Sequence, residues 1–138
     1  MNEKYVTNLE LSKQLRAAGC PQKSEFWWFH QMGMSVDENG DSCEPQDYGW
    51  KLLNNKAGSE TAISAYLSDE LLEMLPKQID KFSLLIRYKD WGEWEVSYTV
   101  FEIGLSHSDI KWWERNKSLP IALAKTLLYL HKEGLVKW

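Results

Sequence analysis

The chain has 138 residues, 43% of them hydrophobic and 26% charged, which is the size and balance of one globular domain spanning 1–138. A formal net charge of −4 argues against broad, non-specific binding to nucleic acid or to anionic membrane. A secreted disulfide scaffold would be denser in cysteine than Cys20 and Cys43 alone; a bridge between these two is one reading, and reduced thiols are the one expected.

The opening, MNEKYVTNLELSK, has no apolar signal core, and no apolar run approaches the ~20 residues of a membrane span, so a cytoplasmic protein is expected. Thr7-Asn8-Leu9-Glu10 reads as a capping box for a helix over about 8–18, with Leu11, Leu15 and Ala18 on one face. Gly19 and Pro21 stop it. Residues 25–32, with EFWWFH at their start, alternate as a strand. Phe26, Trp28 and His30 face one side; Trp27, Phe29 and Gln31 face the other. Both faces are bulky, so the tryptophan pair is assigned to the core. Asp37 to Asp47 reads as an acidic, turn-rich loop, followed by a second strand at Tyr48–Leu53 and a turn at Asn54–Gly58. Ile63 to Leu67 fits strand and helix equally.

Ser68-Asp69-Glu70 opens a short helix whose buried face is Leu71, Leu72 and Leu75, ended by Pro76. Over 83–101 two alternating runs flank Asp90-Trp91-Gly92-Glu93, a β-hairpin. Its apolar residues are even-numbered, so even residues must pair with even ones, as in Tyr88 with Val96 and Ile86 with Tyr98, across an odd-length loop. Gly92 supplies a left-handed backbone angle there. Ser106 to Ser118 reads as a polar connector. The last helix spans about Leu119–Glu133, capped by Ser118, with Leu123, Leu127 and Leu130 in one row and Gly134 as its stop. The order implies an α+β fold. Its antiparallel sheet, including the 83–101 hairpin, packs against an N-terminal helix, a short middle helix and a long C-terminal helix.

Four tryptophans occur in two pairs, Trp27-Trp28 and Trp112-Trp113. Exposing all four would leave roughly 600–1,000 Å² of aromatic surface in water, above the usual largest patch of about 300–600 Å². With Trp27 and Trp28 inside, Trp112, Trp113 and Trp91 at the hairpin tip form the candidate interaction surface. Asp37, Asn39 and Asp41 begin a calcium-loop pattern that fails at Ser42 and Tyr48, leaving a solvated acidic turn. Cys20, Cys43, His30, His107 and His131 lack the spacing of a zinc site. No nucleophile elbow or phosphate-cradling glycine loop is present, and Glu93, Glu95 and Glu102 read as solvated carboxylates near a sheet edge. No catalytic constellation, metal or cofactor is therefore assigned.

Two resemblances add expectations. LELSKQLRAAGCPQKSEFWW resembles the start of MerR-type winged-helix regulators, with a glycine turn after the first helix and an aromatic pair ending the second. That likeness implies DNA binding through residues 8–28, with Lys23 as the nearest cation, although Glu25 and Phe26 stand where the family has an apolar residue and an arginine. YVTNLELSKQLRAAGCPQKSEFWW, LSDELLEMLP, a tryptophan-bearing hairpin and ALAKTLLYLHKEGLV together resemble a group of small phage- and prophage-encoded proteins. That likeness implies a bacterial cytoplasm and no catalytic residue. The leading expectation is a non-enzymatic protein that acts by contact with an unknown protein partner or as a homo-oligomer, with nucleic acid the alternative partner.

Overall fold

The computed structural model describes residues 3–54, 61–101 and 108–138. A 3-10 turn, Glu3–Tyr5, precedes α1 (Leu9–Ala17), β1 (Phe26–Val36), β2 (Ser42–Leu53) and β3 (Ile63–Ala65). Then come α2 (Ser68–Met74), β4 (Gln78–Ile79), β5 (Phe82–Tyr88), β6 (Trp94–Phe101), β7 (Ser108–Asn116) and α3 (Leu119–Lys132). The fold is α+β, as expected, but its strands form two antiparallel sheets, ordered β2-β1-β3 and β4-β5-β6-β7.

The larger core lies where all three helices meet the four-stranded sheet. Leu123, Leu127 and Leu130 of α3 are buried with Leu11 and Leu15 of α1, Leu71 of α2, and Val96 and Tyr98 of β6. The Tyr98 hydroxyl donates to the Pro76 carbonyl at 2.6 Å, which lets a polar tip end inside this core. A smaller cluster gathers Val6, Trp28, Ile63 and Ala65 under the three-stranded sheet. Trp27 and Trp28 are both buried, which answers the aromatic run at the start of β1.

Thr7 does not cap α1. Its backbone N–H donates to Tyr66 O at 2.9 Å, its Oγ1 accepts from the Tyr66 N–H at 3.0 Å, and its carbonyl accepts from Trp28 Nε1 at 3.0 Å. With Thr7 committed to joining β1 and the β3–α2 segment, the cap passes to Asn8, whose Oδ1 accepts from the Leu11 N–H at 2.9 Å. Asn8→Ala is expected to cost about 1 kcal/mol of stability, read by urea denaturation. Ser118 holds the N-cap position of α3 without a side-chain capping bond; its N–H donates to Asn116 Oδ1 at 2.9 Å.

The acidic loop is shorter than the residues 37–47 suggest. Asp37 Oδ1 accepts from the N–H groups of Asn39 and Asp41, both at 2.9 Å, and Gly40 adopts φ +85°. The carboxylate that opens the calcium-like pattern thus closes a tight turn, and Ser42 already belongs to β2. Ile63–Ala65 is strand, and the turn expected at 54–58 falls largely outside the described residues.

The β5–β6 hairpin pairs even with even residues, but two positions tighter than expected: Tyr88 faces Trp94 and Ile86 faces Val96. Lys89 and Glu93 close the loop with an N–H···O bond of 2.7 Å, and Gly92 takes φ +85°. The tilted Tyr88–Trp94 ring pair, 5.0 Å between centroids, rewards this register over the wider one.

Candidate functional site

The largest departure from the sequence reading is β7. From Ser108 to Asn116 the supposed polar connector is a strand that pairs along β6, with Trp112 opposite Tyr98 and Trp113 opposite Ser97; its residues 106 and 107 lie outside the described residues. Alternation then splits the tryptophan pair across the sheet. Trp112 turns toward α3, stacks on Tyr129 at 4.0 Å, and donates from Nε1 to Thr126 Oγ1 at 3.1 Å. It leaves the candidate surface and joins the core. Trp113 turns to the outer face and is 50% exposed. Trp91, in the hairpin loop, is 59% exposed.

Between these two rings lies Arg115. Its guanidinium sits 4.7 Å from the Trp113 ring centroid and 5.7 Å from that of Trp91. Cation–π attraction at this range holds the cation against both faces. Arg115 Nε also donates to Glu95 Oε2 at 3.0 Å, and Arg87 Nη2 donates to Glu95 Oε1 at 2.6 Å. Lys89 Nζ stands 3.7 Å from Oε2. The register explains the meeting: Arg87, Glu95 and Arg115 are directly opposite one another on three adjacent strands.

Glu95 is therefore not a solvated edge carboxylate. It is 6% exposed, and burial by itself raises its pKa. The hydrogen bonds from Arg87 and Arg115, with the charge of Lys89, outweigh burial and hold the carboxyl below its ordinary range. Next to it on the same face, Ser97 and Thr99 are also buried, and Thr99 Oγ1 donates to Ser97 Oγ at 3.0 Å. The register slips between Tyr98 and Thr99, so Ile110 comes opposite Thr99, where it is exposed beside Trp113.

Sequence reasoning missed Glu95, Arg87, Lys89 and Arg115. The parity of Arg87 and Glu95 across the hairpin was the available signal: residues sharing a face with opposite charge are cross-strand partners. The arrangement can present a fixed guanidinium edge and two flat apolar rings. It lacks a nucleophile placed against a base.

The other candidates disperse. Cys20 is buried, its thiol pushed up chiefly by that burial, with Sγ 3.7 Å from Met74 Sδ. His30 Nε2 bonds Asp47 Oδ1 at 2.9 Å and its ring stacks on Trp50, while His131 stacks on Trp138. Among the described residues no three metal-ligating side chains gather; His107 and Glu102 lie outside them. The second helix implied by the MerR likeness is not formed, because α1 ends at Ala17 and the chain continues through coil into β1. Among the described residues no helix is long and apolar enough to cross a membrane. No family model matches the chain, and no curated protein or solved structure matches it either.

Proposed function

We propose that the protein is a small non-enzymatic binding protein, of the phage- or prophage-encoded type its sequence resembles, that grips an acidic segment of a partner protein. The observation that carries this reading is Arg115 held between Trp91 and Trp113 and fixed by Glu95. Tryptophan and arginine dominate the energetics of protein interfaces. Here Arg115 is already held by Glu95 and against the two rings before binding, which lowers the entropic cost of association. Arg87, Lys89 and Arg115 surround one carboxylate, so cations outnumber the acid in this cluster although the chain's net charge is −4. Charge of that sign selects a carboxylate-bearing partner and speeds encounter with it.

The test is a fluorescence anisotropy titration with a labelled decapeptide of alternating glutamate and leucine. Saturable binding, weakened about tenfold or more in Trp113→Ala and absent for the lysine–leucine counterpart, supports the reading. Equal affinity of wild type and Trp113→Ala, or no binding at low salt, overturns it. Sedimentation of the protein alone reads the homo-oligomer alternative, in which the exposed acidic turn around Asp37 and Asp41 of a second copy supplies the carboxylates.

A further inference from the structure

A groove of about 640 Å³ opens between the N-terminal 3-10 turn, the start of α2, the end of β7 and the first turn of α3. Its volume is that of a small-molecule site. Tyr5 and Trp94 contribute flat walls, and Ile121 contributes an aliphatic one. Among the described residues that line it, Lys4 and Lys117 are the charged ones and none is a carboxylate, although acidic residues outnumber basic ones in the chain by 20 to 16; Lys4 Nζ lies 5.1 Å over the Tyr5 ring, which leaves Lys117 as the cation the groove presents. Ser118 also lines it, and the buried Ser118 hydroxyl has no hydrogen-bond partner among the described residues. A buried hydroxyl left unpaired is an unusual expense in a native fold, and a rotation about χ1 would offer it to a ligand in the groove.

We propose that this groove binds a small organic anion, with its planar apolar body against Tyr5 and Trp94 and its anionic group at Lys117. Two flat rings with aliphatic flanks suit a body one ring system thick. Lys117, with no carboxylate among the described lining residues, selects the sign of the polar end. This site lies apart from the Trp91–Arg115–Trp113 face and does not depend on it, since the two share no lining residue.

The probe is 8-anilinonaphthalene-1-sulfonate, an aromatic anion with a flat naphthalene body, followed by its own emission. Its neutral counterpart is N-phenyl-1-naphthylamine. Expected is a single saturable site for the anion and weaker binding of the neutral dye. Lys117→Ala should lower affinity about fivefold, and Tyr5→Ala by a similar factor. Both side chains are exposed, so both variants keep the fold, which far-UV circular dichroism checks. Trp113→Ala should leave dye affinity unchanged. The proposal is overturned if the neutral dye binds as tightly, if Lys117→Ala binds like wild type, or if Trp113→Ala removes the signal.

Discussion

Alanine in place of Trp112 is expected to lower the free energy of unfolding by about 2–4 kcal/mol, while alanine in place of its neighbour Trp113 changes it by less than about 1 kcal/mol. The difference follows from alternation along β7. Trp112 fills the space between β6 and α3, stacks on Tyr129 and bonds Thr126. Truncation leaves a cavity that α3 can close only by moving, and α3 is anchored by Leu123, Leu127 and Leu130. Thr126 Oγ1 keeps its own bond to the Ala122 carbonyl, so the polar loss is small and the cost is mainly packing. Trp113 loses only contact with Arg115 and some apolar cover over Ser97. Binding should show the opposite order, with the acidic peptide held about tenfold or more weakly by Trp113→Ala and kept by whatever Trp112→Ala remains folded. Urea denaturation of both variants against wild type decides the stability half. Equal midpoints and slopes for the two would mean that β7 does not split the pair as described.

How much of this was legible beforehand depended on whether apolar residues carried the pattern. α1, α2, α3 and the 83–101 hairpin announce themselves because each has one greasy face with a stop signal at its end. β7 does not. Its inward residues include Trp112 and Glu114, its outward ones Trp113 and Arg115, so hydropathy does not alternate although geometry does. The strand is held by a neighbour already in place, β6, and by Arg115 reaching Glu95, a non-local pairing that a local window cannot see. The same reason hides Glu95. Read in its own segment it is one of several acids; read across the sheet it is ringed by three cations. The N-terminal cap failed differently. Thr7 and Asn8 are both good caps, and only the distant Tyr66 and Trp28 decide that Thr7 is needed elsewhere.

The second large effect is expected at Glu95. Glu95→Ala should cost about 2 kcal/mol at neutral pH, because hydrogen bonds to charged groups are worth about 1.5–3 kcal/mol. Loss of one partner from a fully buried ion pair would cost about 3–5 kcal/mol, but Arg87 and Arg115 are each nearly half exposed and recover water. Glu95→Gln keeps the shape and removes the charge, and so isolates the pH-dependent part. The folded carboxyl lies below its unfolded value of about 4.3, so in that range the unfolded chain binds the extra proton. The contribution is fully present above the unfolded pKa and is lost as pH falls through the folded one. Wild type should therefore exceed Glu95→Gln in stability at pH 7, and the gap should close on acidification. Other carboxyls titrate in both proteins and cancel in the difference. A gap that is constant from pH 7 to pH 3 would show that ionisation of Glu95 contributes nothing to stability. The same substitution frees Arg115 from its anchor between Trp91 and Trp113, so the acidic peptide should bind more weakly to Glu95→Gln even though the variant has gained net positive charge. A purely electrostatic surface would respond in the opposite direction, which makes Glu95→Gln the variant that separates a preorganised grip from a merely basic patch.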